Sequence, residues 1–331
     1  MELYDQIAGV RKAINSYQFP QLLITAQEIG ILEILSQNPS SASELAEAVG
    51  GLDEHVRRLA NALVAHSVLR LEDGVYSIAD DWSVLRSDSP ASMVGYIQHM
   101  GLLKDRWAQL GKALRDENFR RDSLALITGS NKKTTESFIA AMDEVAKPIA
   151  TTLATDWEFD NHRIIDIGGG SGIYPIVVSS INKNVTGVVF DLPGIVEIAQ
   201  KNIDSAGLTE KLTTAGGDYN EGLPGDGFDD AFLFAMVHRQ DQAQNRALLQ
   251  RTFKALNRRG RLFLIGFFTN EQGTGPVFSA HFAVEMTVMI PGGRVYSHTE
   301  IETLIETAGF TAMERIDAIP GPATLYTAIR P

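Results

Sequence analysis

The sequence predicts an α/β protein, in which a mostly parallel sheet with helices on both faces follows a smaller and mostly helical N-terminal region. From residue 161 onward, short apolar runs alternate with stretches of helical spacing, which is typical of parallel strands joined by crossover helices. Before residue 161 the apolar residues recur mainly at helical spacing. The length of 331 residues is sufficient for two domains.

The strands of the expected sheet are short apolar runs of the C-terminal half, namely HRIIDIGGG, VTGVVFDL, KLTTAGGDY, DDAFLFAMV and GRLFLIGFF. The final segment, AMERIDAIPGPATLYTAIR, predicts two more strands around a Pro-Gly-Pro turn. We expect these two strands to form an antiparallel hairpin at the edge of the sheet.

Residues 20–85 have the element order of a winged helix, which is three amphipathic helices followed by a hairpin. Ser41 and Glu44 have the spacing of a capping box, and Asp73–Gly74 supplies a hairpin turn. A winged helix suggests DNA binding, but Asp53 and Glu54 would precede Arg57 and Arg58 at the end of the recognition helix that enters the groove. The sequence therefore favours a packing and dimerisation module.

Composition excludes several classes of function. The net charge of -12 and the pI of about 5.1 oppose nucleic acid as the main partner, because phosphate binding needs clustered Lys and Arg. The absence of cysteine excludes disulfides, a thiolate nucleophile and a zinc–thiolate site. No apolar run approaches the length of a membrane span, and the first residues lack the order of a signal peptide, so a cytoplasmic location is expected.

The segment IIDIGGGSGIYP follows the first predicted strand and opens a helix. Gly168, Gly170 and Gly172 allow the backbone to approach a ligand closely, as a nucleotide-type site requires. A dinucleotide fingerprint would place its last glycine where this chain has Ile173, which disfavours NAD and FAD. No Lys–Ser/Thr pair follows the loop, which disfavours a triphosphate.

Acidic residues stand at the carboxyl ends of three predicted strands. Asp191 is placed to accept hydrogen bonds from both ribose hydroxyls, and Asp218 with Tyr219 to bind an amino group and an aromatic base. Together with Asp166, these acids suit a ligand that has no phosphate and carries positive charge. S-adenosylmethionine, with its sulfonium and ammonium groups, fits that description.

Four motifs resemble a known family: DIGGGSGIYP, VVFDLPGIVEIAQ, GGDY and GGRVYSHTEIETLIETAGF. They are similar to those of the S-adenosylmethionine-dependent methyltransferases of the caffeate and hydroxyindole O-methyltransferase type, and the winged-helix segment resembles that family's dimerisation domain. The resemblance implies a Rossmann-like class I methyltransferase sheet. It also implies a winged-helix dimerisation domain at residues 1–90, a helical connector lining the substrate pocket at 91–150 and the cofactor-binding domain at 151–331.

The resemblance further implies which residues bind the cofactor and how the chains assemble. It implies that the loop at Gly168 lies near the methionine moiety, that Asp191 lies on the ribose and that Asp218 and Tyr219 surround the adenine. It implies a homodimer in which the N-terminal helices help to close the partner's substrate pocket. From the acidic composition and the lack of a long apolar run, no nucleic acid or membrane partner is expected. The expected cofactor contacts are Asp166, Gly168, Gly170, Gly172, Asp191, Leu192, Asp218, Tyr219 and Phe234.

His238 in MVHRQDQ falls where the family has the histidine that deprotonates the acceptor hydroxyl, in a motif of roughly Leu-His-x-Trp-x-Asp. The family's Trp is replaced by Gln240. The plant enzymes also carry two acids that orient the histidine, and Gly266 and Val295 stand at those positions here. Without a carboxylate to fix its tautomer and stabilise the imidazolium, His238 would be a weaker base.

Two explanations for these departures remain open. His281 and Glu285 lie four residues apart on one helical face and could support His238. Alternatively, the acceptor needs little help from a catalytic base, as for an acidic phenol, an enol, activated carbon or an amine. O-methylation is favoured, and N- or C-methylation stays open. A metal bound by His238, His281 and Glu285 is disfavoured.

The acceptor pocket is expected to be apolar, which suits a flat aromatic or polyketide-like acceptor in specialised metabolism. Two other hypotheses remain: a relative that binds S-adenosylmethionine for hydroxylation or decarboxylation, and, least favoured, a winged-helix regulator that senses it. The predicted contacts with the acceptor are Phe138, Met142, Met100, Phe282 and Met286.

Overall fold

The structure is a computed structural model that describes residues 2–116, 119, 132–290 and 292–331. The chain forms two compact units, Met1–Lys104 and Asp105–Pro331, which we call the N-terminal and C-terminal units. Residues 117–118 and 120–131, which belong to the expected helical connector, lie outside the described residues. The three-part division with boundaries near residues 90 and 150 stays a prediction.

The N-terminal unit combines amphipathic helices with a small antiparallel sheet of strand order β1-β3-β2. The predicted hairpin is present, since the φ angles of +50° at Asp73 and +84° at Gly74 give the tight turn between β2 and β3. The capping box of Ser41 and Glu44 is also present, at the start of α4. The elements are α1 (Glu2–Asn15), α2 (Gln18–Glu28), α3 (Ile31–Gln37), β1 (Ser40–Ser41), α4 (Ala42–Val49), α5 (Asp53–Ala65), β2 (Leu69–Glu72) and β3 (Val75–Ile78), followed by a 3-10 turn (Asp80–Leu85).

The core of the N-terminal unit lies between these helices and the hairpin. Leu32, Leu45 and Leu63 are fully buried there, and Tyr76 joins them while its hydroxyl donates to Asn61 Oδ1 at 2.7 Å. The first helix differs from the others because its apolar side chains are exposed. They are Leu3, Tyr4, Ile7, Val10 and Ile14.

The C-terminal unit is built on a seven-stranded sheet of order β6-β5-β4-β7-β8-β10-β9. The pairs from β6 to β8 are parallel, and β10 runs antiparallel to both β8 and β9, so the predicted edge hairpin is confirmed. The strands are β4 (Arg163–Ile167), β5 (Thr186–Asp191), β6 (Leu212–Gly216), β7 (Phe228–Phe234), β8 (Leu256–Gly266), β9 (Thr311–Ile316) and β10 (Thr324–Ile329).

Helices alternate with these strands, as predicted for a doubly wound α/β fold. The helix α6 begins in the N-terminal unit and ends in the C-terminal unit. The helices are α6 (Val94–Trp107), α7 (Leu110–Ala113), α8 (Lys132–Asp156), α9 (Ile173–Ile181), α10 (Pro193–Ser205), α11 (Gln242–Ala255), α12 (Val277–Met289) and α13 (His298–Thr307).

The position of the site follows from the strand order. β4 is paired with β5 on one side and with β7 on the other. The chain adds β5 and β6 on one side of β4 and then crosses to the other side to add β7 and β8, so the direction in which strands are added reverses between β4 and β7. Ligands of open α/β sheets bind at the carboxyl ends of the strands at such a reversal. Near the amino end of β7, the buried Asp230 pairs with Arg261 (Nε–Oδ1, 2.6 Å) and His162 (Nδ1–Oδ2, 2.6 Å). This cluster lies at the opposite end of the strands from the predicted site.

Candidate active site

A glycine loop connects β4 to α9 at this reversal. Its residues Gly168, Gly170 and Gly172 have φ angles of +69°, +56° and +76°, a region that side-chain-bearing residues rarely adopt. Gly168 also has no room for a side chain, because a Cβ there would lie 2.4 Å from Met236 Sδ. The loop is therefore fixed against the segment that follows β7.

Three carboxyl groups contact consecutive residues of this loop. Asp166 lies beneath Gly169, where an added Cβ would be 2.7 Å from Asp166 Oδ2. Asp191 Oδ2 accepts a hydrogen bond from Gly170 N–H at 2.9 Å. Asp143, on α8, accepts one from the Ser171 hydroxyl. Asp166 and Asp191 were predicted from the sequence as site residues, whereas Asp143 was not.

The burial of these carboxyl groups makes their ionisation costly. Asp166 is 1% exposed, and its Oδ2 has no hydrogen-bond partner among the described residues. Burial, reinforced by the charge of Asp191, raises the pKa of Asp166 to about 8. Burial also raises the pKa of Asp143 to about 6, against the opposing hydrogen bond from Ser171. No ion pair to any of the three is present in the described part of the chain.

Asp191 is held at the end of β5 by the backbone. Its Oδ1 accepts from Leu192 N–H at 2.7 Å, in addition to the bond from Gly170. Burial raises the pKa of Asp191, and the two backbone donors and the charge of Arg239 oppose that rise. Both carboxylate oxygens of Asp191 are thus held by backbone N–H groups, one of which belongs to the glycine loop.

The remaining predicted cofactor residues lie at the ends of β6 and β7. Asp218 Oδ1 accepts from Asn220 N–H at 2.7 Å, and Tyr219 is half-buried beside it. Phe234 is 6% exposed, and its ring centroid lies 4.3 Å from that of Tyr174 on α9. The structure places each of these side chains in the C-terminal unit with the glycine loop, and their contacts with a cofactor stay predictions.

His238 follows β7 in a short 3-10 turn, Val237–Arg239. Ala235, a non-glycine residue with a φ of +52°, redirects the chain between the strand and this turn. The His238 ring is 7% exposed and meets Phe282 of α12 edge to face, with centroids 4.9 Å apart. Burial, with a smaller contribution from the charge of Arg239, lowers the pKa of His238 to about 3, so the imidazole is neutral at physiological pH.

Among the described residues, no carboxylate partner orients His238. Its Nδ1 is buried and has no hydrogen-bond partner among the described residues. At Gly266 no acid could be accommodated without rearrangement, because an added Cβ would lie 2.6 Å from Phe268 Cζ. Gln240 is buried where the resembled family has Trp, and its Nε2 donates to Asn245 Oδ1 at 3.3 Å.

Neither His281 nor Glu285 of α12 contacts His238 in the described structure. His281 lies on the exposed side of the helix. Glu285 is half-buried and accepts a hydrogen bond from the Trp107 side chain, and burial raises its pKa. Among the described residues, no group of three or more metal-ligating side chains is found.

The predicted acceptor contacts lie on three helices. Phe138 and Met142 are half-buried on α8, and Phe282 is half-buried on α12, where it also packs on Phe267 at 4.8 Å. Met286 is only 3% exposed. Met100 is half-buried in the N-terminal unit. Of these side chains, Phe282 contacts His238, and contact of any of them with an acceptor stays a prediction.

Three features together are those of a class I methyltransferase. They are the strand order of the sheet, the glycine loop in contact with three carboxyl groups, and the buried histidine after β7. The comparison with known families agrees, because residues 107–311 match the O-methyltransferase domain and residues 12–81 match the O-methyltransferase dimerisation domain. The chain belongs to the O-methyltransferase family, and its methyl donor is S-adenosylmethionine.

Known proteins resemble the chain over nearly its whole length. A phenazine O-methyltransferase from Lysobacter antibioticus is 25% identical over 92% of this chain and 90% of its own. An L-tyrosine C(3)-methyltransferase from Streptomyces lavendulae is 24% identical over 91% of this chain and 86% of its own. The crystal structure of human N-acetylserotonin methyltransferase in complex with S-adenosylmethionine superposes with a TM-score of 0.87 at 21% identity, covering 98% and 97% of the two chains.

The residues present fit this donor. The Oδ2 of Asp166, which has no partner among the described residues, is available for hydrogen bonding, and the three carboxyl groups, which have no ion pair in the described ranges, can supply negative charge to a cationic ligand when they ionise. Nothing lies within 4 Å of a Cβ added at Gly170, so a ligand can approach the backbone of the loop closely at this residue. Across the described residues, no helix is both long enough and apolar enough to cross a bilayer.

Proposed function

We propose that the protein transfers a methyl group to a hydroxyl oxygen of a small, flat aromatic or polyketide-like acceptor in specialised metabolism. The observation that carries this proposal is the neutral imidazole of His238, buried against Phe282 and linked to the glycine loop through Met236. Relatives whose names give phenazine and naphthoate O-methylation support the acceptor class.

His238 removes the hydroxyl proton as the methyl group moves. An ordinary phenol has a pKa near 10, and the pKa of His238 is about 3, so complete proton transfer before methylation is strongly unfavourable. Because Nδ1 of His238 has no partner in the described part of the chain, no carboxylate bonded there stabilises the imidazolium that forms. We therefore infer that the acceptor hydroxyl is acidic, as in a phenol conjugated with a carbonyl group or a ring nitrogen.

The other site residues bind and orient. When bound, S-adenosylmethionine supplies an electrophilic methyl group on a sulfonium. Asp191 would hold the ribose hydroxyls, and Asp218 with Tyr219 would hold the adenine. The apolar side chains exclude water and align the acceptor oxygen, which contributes much of the rate in an in-line displacement. These are Phe138, Met142, Phe282 and Met286.

The proposal includes a homodimer and a cytoplasmic location. The dimerisation-domain match supports the homodimer, and so does the exposed apolar face of α1, which includes Leu3, Ile7 and Val10. Size-exclusion chromatography with light scattering tests it, and a monomer at micromolar concentration would contradict it.

A second candidate, transfer to carbon, is favoured by the missing carboxylate at His238, since an activated ring carbon needs less help from a base. The tyrosine C-methyltransferase among the relatives supports it. Methyl-labelled S-adenosylmethionine and a panel of hydroxylated phenazines, naphthoates and anthraquinones distinguish the two, because NMR of the product shows whether the label is on oxygen or carbon. Unmethylated but altered product would instead indicate hydroxylation or decarboxylation.

A further inference from the structure

Asp143 lies on α8, outside the strand ends that supply the other acids of the loop. It follows Met142 in the helix and accepts a hydrogen bond from the hydroxyl of Ser171, 28 residues further along the chain. Ser171 Oγ in turn accepts from Ile173 N–H at 3.2 Å, at the start of α9. Asp143 thus approaches the glycine loop from the helix that also carries predicted acceptor contacts.

The three carboxyl groups form one electrostatic cluster. Asp143 and Asp166 both act on Tyr174, whose pKa is raised by burial and then by these two charges. Asp191 acts in turn on Asp166. Arg239 is the cation that acts on Asp191, and Asp143 has no ion pair among the described residues.

A second observation indicates that this cluster faces a ligand. Asp166 is 1% exposed and its Oδ2 lacks a partner in the described chain, although a buried carboxyl group ordinarily has its hydrogen bonds satisfied. A hydrogen bond to Ser171 alone would be satisfied equally by a neutral Asn or Gln at residue 143. A carboxyl group there adds negative charge to an already acidic loop, which is costly unless a cation binds.

We propose that Asp143 is a further cofactor-binding residue, which stabilises the positive charge of the methionine part of S-adenosylmethionine. That charge resides on the sulfonium and on the ammonium group, and a carboxylate beside Ser171 would attract either. This inference depends on the proposed function only because both require S-adenosylmethionine as the bound methyl donor. It assigns to α8 a role in selecting the charged donor in addition to its expected role in the acceptor pocket.

The test is a calorimetric titration of the full-length protein with three ligands. S-adenosylmethionine carries both positive groups, S-adenosylhomocysteine carries only the ammonium, and 5′-methylthioadenosine carries neither. For Asp143→Asn we expect binding of S-adenosylmethionine to weaken roughly tenfold, as removal of one nearby charge in a partly screened site predicts. Binding of 5′-methylthioadenosine should change less than twofold.

Two further variants separate charge from loop geometry. Ser171→Ala removes the hydrogen bond and keeps the carboxylate, so the preference for charged ligands should remain. Asp156→Asn makes the same change of charge on the exposed end of α8 and should leave all three affinities unaltered. A loss of S-adenosylhomocysteine binding equal to that of S-adenosylmethionine would assign the ammonium group to Asp143, and a smaller loss would assign the sulfonium.

An equal loss for all three ligands in Asp143→Asn would show that the residue only shapes the loop, and no loss for any of them would show that it is not in the site. Either result overturns the proposal, as does a folded wild-type protein that binds none of the ligands. Binding is measured without an acceptor, so failure of methyl transfer to oxygen would leave this result intact.

Discussion

Phe268 occupies the space into which any side chain at Gly266 would project, with only 2.6 Å between an added Cβ and Phe268 Cζ. Phe268 itself is 2% exposed and packs edge-on against Tyr326, with centroids 5.5 Å apart, so it has little freedom to move. The carboxylate that would assist His238 from this position is therefore excluded by packing. Packing in the core of the C-terminal unit thus excludes an acid at residue 266.

An acidic residue at position 266 should destabilise the fold rather than assist His238. For Gly266→Asp we expect a loss of about 1–3 kcal/mol in the free energy of unfolding, as for other overpacked cores. Urea denaturation measures it. Gly222→Asp is the matched control, because nothing lies within 4 Å of an added Cβ at Gly222, and its change should stay within about 0.5 kcal/mol. Equal stability of the two variants would contradict the packing argument.

Replacing His238 should abolish most of the methyl transfer and leave cofactor binding unchanged. For His238→Ala we expect kcat to fall about 10²- to 10⁴-fold, the usual contribution of a general base. Steady-state kinetics with a methylated phenol as product provide the measurement. His281→Ala is the control, since that side chain is exposed on α12 and should be neutral. Full activity of His238→Ala would remove the histidine from the mechanism.

At saturating cofactor, kcat should not fall at low pH through protonation of His238. With a pKa of about 3, the imidazole is already neutral at pH 5 and remains so at higher pH. We therefore expect kcat at saturating cofactor to stay within about twofold between pH 5.5 and 7.5 for an acceptor that does not titrate in that range. A fall in kcat with an apparent pKa near 6.5 would mean that the ring is solvated and ordinary in basicity.

Affinity for the cofactor should instead depend on pH. Asp143 and Asp166, with pKa values of about 6 and about 8, are neutral below those values and acquire negative charge as the pH rises. A cationic ligand prefers the ionised forms, so binding of S-adenosylmethionine should strengthen, roughly tenfold, from pH 5.5 to 8.5. Calorimetry in buffers of different ionisation enthalpy should show release of protons on binding. Uncharged 5′-methylthioadenosine should show neither effect.

Asp166 should reduce the stability of the ligand-free protein at high pH. Its pKa is raised above the unfolded value, so the folded state holds the proton more tightly, and stability is lost as the pH rises from about 4 through about 8. Asp166→Asn should remove this dependence and raise the free energy of unfolding at pH 9 by on the order of 1–3 kcal/mol, while it weakens cofactor binding. Thermal unfolding at pH 5, 7 and 9 checks the slope, and a variant with the wild-type slope would contradict it.

Much of this architecture could be predicted from local patterns. The strands β4, β5 and β7 are apolar runs, the glycine loop follows β4 directly, and each acid at a strand end is visible in the sequence. His238 could be located because it follows β7 within a motif of the family. These features depend on neighbours in the chain, which periodicity and motifs describe.

The features that were missed depend on contacts between distant segments. Asp143 meets Ser171 across 28 residues, and only its position beside Met142 on a helix expected to line the pocket could have suggested it. The pairing of Glu285 with Trp107 and the exposure of His281 depend on how α12 is rotated in the packed unit. A spacing of four residues specifies a shared helical face but does not specify what that face contacts.

The central claim is tested most directly by following a labelled methyl group from S-adenosylmethionine into product, with wild type and His238→Ala compared on the same acidic phenol. We predict that wild type places the label on oxygen and that the variant, with unchanged cofactor affinity, transfers it at least about 100-fold more slowly. Label on carbon or nitrogen, or equal rates for the two proteins, would contradict the assignment of an O-methyltransferase that uses His238 as its base.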